Sequence, residues 1–269
     1  MALLNRIHRE MSRTLAKRGV LGTLKFGIAL VVARITEFAG RSPHRRNDPA
    51  ERSGSAGLSF DERFGVQTTG IVHLGGLNIA STNWVHGLHY QPIVPPDFQS
   101  LLDPTSIDLP STTFIDLGSG KGRAVLLATQ LPFKSVVGVE FSEELNSIAI
   151  DNLRRFPSAE RRCGEVEILW GDAAAYAFPA GPLVIYLYNP FETPVMQQVV
   201  DHVAATYLAN PRPIVVLYFT PLYADLWKGL EFLEQITATD DLAVFASREA
   251  RAGSARQAGS AQLADAGGT

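Results

Sequence analysis

The stretch of this chain with the most chemical potential is Asp116-Leu117-Gly118-Ser119-Gly120-Lys121-Gly122-Arg123, which closes a β-favouring run. Its closely spaced glycines let a ligand approach the backbone and let the chain turn sharply into a following helix. Two nucleotide readings of such a loop can be tested on the residues. A P-loop needs GxxxxGK[ST], but Lys121 is followed by Gly122, so that reading fails. A dinucleotide fingerprint starting at Gly118 places its third glycine on Arg123, whose bulk obstructs the helix–strand contact. Asp116 would also sit against a pyrophosphate, so NAD and FAD are disfavoured.

Asp116 suits a cationic amino group instead. Glu140 ends the next β-like run, twenty-four residues further on, and suits a bidentate hydrogen bond to ribose hydroxyls. A ligand with a ribose at one end and an ammonium at the other is S-adenosylmethionine. A third element, Tyr188-Asn189-Pro190-Phe191, follows a nearly all-apolar run.

FIDLGSGKGR, VVGVE, LWGDA and YLYNPF, in that order, resemble the motifs of the class I (Rossmann-like) S-adenosylmethionine-dependent methyltransferases over roughly residues 60–247. The DLGSG and GVE stretches are also similar to those of the non-SET histone-lysine methyltransferases and of stand-alone bacterial methyltransferases of unassigned substrate. The resemblance implies that Asp116, Gly118, Ser119 and Gly120 surround the methionine moiety. Glu140 with Phe141 would take the ribose side, and Gly171, Asp172 and Ala173 would flank the adenine. NPF resembles the (N/D)PP(Y/F) element of enzymes that methylate exocyclic amines, amides or adenine N6, with one proline where the family has two. By that resemblance Asn189, Pro190 and Phe191 are the catalytic set. Asn189 accepts hydrogens from the target nitrogen and borders the cofactor, and Phe191 stacks on a planar acceptor. Phe191 packed in the core is the competing reading, as it is for Tyr186 and Tyr188.

Elements that alternate in type must position these residues. Strands are expected at residues 112–117, 135–140, 166–170, 183–188 and 213–219, with helices at 121–130, 143–155 and 192–208 and a short one ending near Trp227. Two further β-like segments, 232–236 and 242–247, flank Thr239-Asp240-Asp241. This alternation predicts right-handed βαβ units and a doubly wound, mostly parallel sheet, which the resemblance makes seven-stranded. Ligands of such sheets bind beyond the carboxyl ends of the strands, at the switch in strand order. That is where the glycines, the acids and the Asn-Pro fall.

The chain has 269 residues, 46% of them hydrophobic, which excludes wholesale disorder. Its one Cys excludes an intramolecular disulfide framework and any multi-cysteine metal site, and no metal is expected. Residues 1–50 hold ten Lys and Arg against three Asp and Glu, a net +7. The remainder holds fourteen against twenty-four, a net −10. The domain reading is therefore a basic amphipathic helical arm (1–39), a linker (40–57), a methyltransferase domain (58–249) with an N-terminal cap (58–110), and a disordered tail (250–269).

The arm's apolar run is too short to span a bilayer, so it either packs on the body or touches a membrane surface. In the cap, Tyr90 and Gln91 are expected lid contacts, and the FGV–TTG stretch is expected to approach the methionine end. An acidic body disfavours nucleic acid. A protein, peptide or small-molecule methyl acceptor fits better, in a cytoplasmic enzyme. The competing class is a non-catalytic S-adenosylmethionine-binding sensor or assembly protein. Acceptor identity and oligomeric state are not legible in the sequence.

Overall fold

Leu183–Tyr188 and Ile214–Phe219 are apolar at nearly every position, which a strand tolerates only when both of its faces are covered. In the computed structural model they are inner strands of a seven-stranded sheet. Residues 59–70 and 97–251 are described, within one unit spanning Gly57–Thr269. The expected arm and linker, and Tyr90 and Gln91 of the cap, lie outside the described residues.

The strands are β1 (Thr113–Leu117), β2 (Ser135–Glu140), β3 (Glu165–Trp170), β4 (Leu183–Tyr188), β5 (Ile214–Phe219), β6 (Leu233–Ala238) and β7 (Leu242–Ser247). The helices are α1 (Phe60–Phe64), α2 (Phe98–Leu102), α3 (Arg123–Thr129), α4 (Glu143–Arg155), α5 (Thr193–Ala209) and α6 (Ala224–Lys228). The sheet order is β3-β2-β1-β4-β5-β7-β6. The first five strands run parallel, and β7 is antiparallel to both of its neighbours. Strand order therefore reverses between β1 and β4, which opens a crevice above their carboxyl ends.

Alternation along each strand sends one set of side chains to each face. Ile115, Leu117, Ile185 and Leu187 pack against Val195, Met196, Val199 and Val203 of α5. Phe114, Val136, Val184 and Tyr186 pack on the other face against Phe98 of α2 and Val125 of α3. Local signals fix the helix ends. Ser142 caps α4 by accepting from the Leu145 N–H, with Glu143 and Glu144 in the first turn and Arg154 and Arg155 in the last, which suits the helix dipole. A capping box between Ser59 and Glu62 starts α1, and Gly65 in the left-handed region ends it.

The packed body runs slightly past the expected limit at residue 249. Ala250 is fully buried, and its carbonyl accepts from the Ser106 amide at 2.6 Å.

Candidate functional site

The glycine loop lies at the switch point. Its turn begins with the Gly118 and Ser119 amides, which both donate to the Val139 carbonyl of β2, at 2.9 and 3.1 Å. Gly118 has φ +86°, and a Cβ built on it would lie 2.5 Å from the Pro190 Cβ. Any side chain there would push the loop after β4 away. Gly122, at φ +84°, begins α3 over Ala149 of α4. The NPF turn and the glycine loop thus meet directly across the crevice, as residues at the ends of β4 and β1 must if one ligand is to touch both.

Asp116 precedes the glycine loop and Glu140 is hydrogen-bonded to it, each only 3% exposed. Glu140 accepts the Gly120 N–H at 2.8 Å and the Ser142 N–H at 2.9 Å, so it braces the loop while keeping lone pairs for a ligand. Burial pushes its carboxyl up to about 7 against the effect of those bonds. Burial, with Glu140 as a second cause, pushes Asp116 well above the usual carboxylate range. No described residue donates a hydrogen bond to Asp116. Ser119 Oγ, in the loop itself, is likewise buried among the described residues without a hydrogen-bond partner. Buried polar groups are ordinarily paired, so this cluster has the character of a ligand cradle.

The residues expected to flank the adenine follow β2 and β3. Phe141 is half-buried, and its carbonyl accepts from the indole N–H of Trp170 at 3.0 Å. The Gly171 amide donates to the Glu140 carbonyl, and the Asp172 carboxylate caps the turn Ala173–Ala175 by accepting from the Ala174 N–H at 2.9 Å. Ala173 is buried beneath them.

Beyond β4, Asn189 is held at φ +38°, and Thr220 at the end of neighbouring β5 at φ +49°. Left-handed residues other than glycine are uncommon and gather at functional sites. Tyr218 explains where the Asn189 side chain goes. Its hydroxyl accepts the Tyr223 amide at 3.4 Å and spends its one proton on Asn189 Oδ1 at 3.1 Å. Pro190 is half-buried against Gly118. Phe191 is 5% exposed and packs in the core with Val195 and Met196. In this arrangement it backs the loop and presents no stacking face. Tyr186 is also a core residue, against Phe98 and Phe114, whereas Tyr188 is half-buried beside Phe219.

One part of the site was not read from the sequence. The Asp61 carboxylate gathers the Thr68 and Thr69 amides and both of their hydroxyls, which carry it below the usual range although burial opposes this. Buried Arg123 donates to Thr68 Oγ1 at 2.7 Å and lies 3.5 Å from Asp61. Lys121 reaches the Thr69 carbonyl at 2.5 Å, and Asn152 bonds both Gln67 and Lys121. Residues 59–70, which include the FGV–TTG stretch, therefore form a strap fastened to the glycine loop. A charged residue opening a helix beside three glycines was the available signal.

Among the described residues, no group of His, Cys, Asp and Glu could hold a metal ion, and no helix is long and apolar enough to cross a membrane. His202 rests edge-on against Phe178, and His86 and His89 lie outside the described residues.

A seven-stranded sheet of this order, with a glycine loop after the first strand and an acid ending the second, is the architecture of class I, Rossmann-like S-adenosylmethionine-dependent methyltransferases. A family model described as histone methylation protein DOT1 matches residues 85–167, which include the loop and Glu140. No curated protein matches the chain. Among solved structures, it is similar to the glycopeptide N-methyltransferase MtfA complexed with sinefungin, at 12% identity over 55% of this chain and 83% of that one, TM-score 0.40. It is similar to an RNA methyltransferase from Salinibacter ruber in complex with S-adenosyl-L-homocysteine, at 17% identity over 56% and 90%, TM-score 0.37. It is also similar to a SAM-dependent methyltransferase from Leishmania major, at 12% identity over 56% and 68%, TM-score 0.39.

Proposed function

We propose that this chain is an S-adenosylmethionine-dependent methyltransferase whose acceptor is a nitrogen of a protein side chain or small metabolite. The observation that carries the reading is the donor-less, buried Asp116 at the switch point, next to a Glu140 that already braces the glycine loop. A cationic amino group at Asp116 and ribose hydroxyls at Glu140 satisfy both acids. Ser119, Gly118 and Gly120 line the methionine end, and Phe141, Gly171, Asp172 and Ala173 the adenine end.

When bound, the cofactor supplies an electrophilic methyl group on a sulfonium, and transfer needs alignment more than acid–base chemistry. The chain's part is to hold Asn189 still. Tyr218 occupies one lone pair of Asn189 Oδ1 and leaves the other to accept a hydrogen from the acceptor nitrogen. Tyr188, half-buried beside this point, offers an apolar wall that favours a neutral amine over its protonated form. The acidic body suits a cytoplasmic enzyme that does not act on nucleic acid, and the basic arm 1–39 gives it a means of peripheral contact with an anionic membrane.

The test is transfer of a labelled methyl group from S-adenosylmethionine to a panel of peptides carrying lysine, arginine or glutamine and to small amines. Label on nitrogen that is lost in Asn189→Ala supports the reading. Label on oxygen or carbon acceptors, or cofactor binding without transfer to any acceptor class, counts against it.

A further inference from the structure

Asp116, next to last in β1, and Glu140, last in the adjacent β2, are equally hidden, yet they are furnished differently. Two backbone amides serve Glu140, while no described residue serves Asp116. Two carboxylates in one low-dielectric site do not both ionise unless a cation joins them. The charged and titratable groups on the surrounding elements do not supply one. Lys121 in the loop turns to the Thr69 and Gly70 carbonyls, and Arg123 on α3 turns to Thr68 and Asp61 of the strap. Tyr186, opposite Asp116 on β4, is a phenol in the core. The ligand-free pair therefore retains a proton, in keeping with the upward displacement of both acids. A neutral carboxyl is a poor partner for an ammonium, so a ligand carrying one must expel that proton.

We infer that Asp116 selects the cofactor by exchanging its proton for the ligand's α-ammonium. The Asp116 O–H bond breaks, the proton passes to solvent, and the ammonium takes its place by ionic contact. The inference rests on the cofactor reading above and adds a property to it. Preference for a ligand with its amino-acid end over one without it depends on pH, growing up to about tenfold per pH unit wherever Asp116 is protonated in the free site.

Isothermal titration of the full chain with S-adenosylhomocysteine and with 5′-methylthioadenosine, which lacks the amino-acid end, tests this. Each titration is run in phosphate and in Tris at pH 6, 7 and 8, so that the buffer dependence of the heat counts protons. The expected result is that S-adenosylhomocysteine releases up to one proton more than methylthioadenosine, whatever Glu140 gives up to the ribose being common to both, and that the affinity ratio rises with pH. Asp116→Asn should abolish that difference in release and flatten the ratio while still binding methylthioadenosine, which also shows that the variant is folded. Equal release with the two ligands and a constant ratio would overturn the inference and leave the cofactor reading intact. A difference between them that persists in Asp116→Asn would overturn the assignment to this residue. Failure of both adenosyl ligands to bind would sink the cofactor reading and the inference together.

Discussion

Gly118 and Pro190 touch across the gap between β1 and β4, with no room for a side chain between them. The glycine loop and the Asn-Pro-Phe turn are consequently one packed unit, and an insult to either is felt by both. Gly118→Ala combines a left-handed φ with a Cβ 2.5 Å from Pro190. It is expected to cost at least about 1–2 kcal/mol of stability and to weaken S-adenosylhomocysteine binding by more than tenfold. Urea unfolding and calorimetry check the two effects. Ala at this position with unchanged affinity would show that the junction does not shape the site.

Tyr218 donates to Asn189 from a fully buried position. Tyr218→Phe keeps the ring and removes only the hydroxyl, and it is expected to cost about 1–2 kcal/mol. Combined with Asn189→Ala it should cost less than the sum of the single changes, by about 0.5–1.5 kcal/mol. Additive costs in that double-mutant cycle would mean that Tyr218 does not hold the carboxamide.

The strap depends on the Asp61–Arg123 pair. Removing one partner of a buried, hydrogen-bonded ion pair costs about 3–5 kcal/mol, and for a unit of this size each kcal/mol is worth roughly 2–4 °C. Arg123→Ala should therefore lower the melting temperature by about 10 °C and open residues 59–70 to hydrogen exchange. Unchanged protection of the Thr68 and Thr69 amides would contradict the role given to the strap.

The two buried acids also set a pH dependence. Both hold protons more tightly when folded, so the native state binds more protons from the ordinary aspartate value of 3.8 upward, with the Glu140 share falling between 4.5 and about 7. Stability of the ligand-free protein accordingly falls as pH rises through that range. Each tenfold change in proton affinity is worth about 1.4 kcal/mol, so Glu140 alone accounts for a loss on the order of 3 kcal/mol. Asp116→Asn removes one acid without losing a hydrogen bond, so it should melt above wild type at pH 8, by a margin that shrinks as pH falls toward the ordinary aspartate value of 3.8. Melting curves across that range with no such convergence would place the proton elsewhere.

Much of this site was legible because its parts are local. The glycines, Glu140 and the Asn-Pro each follow an apolar run, and chain order alone puts them at one edge of a parallel sheet. β4 could be placed as a central strand because Leu183–Tyr188 has no polar face. What escaped reading depended on distant partners. Arg123 pairs with Asp61, sixty-two residues upstream, and no periodicity links them. Tyr218 stands in the apolar run IVVLYF, where a phenol that hydrogen-bonds Asn189 looks like any core aromatic. Phe191 follows a proline in a turn, where neither a helical nor a strand period says which way it faces, and it proves to be buried.

The cofactor assignment, on which the rest depends, is open to a thermal-shift comparison of S-adenosylhomocysteine with NAD on the full chain. A ligand at a hundred times its dissociation constant stabilises by about 2.7 kcal/mol, or roughly 5–10 °C for a unit of this size. S-adenosylhomocysteine should give that shift and NAD none, and Glu140→Ala should lose it. No shift with S-adenosylhomocysteine, or a shift with NAD alone, would contradict the assignment.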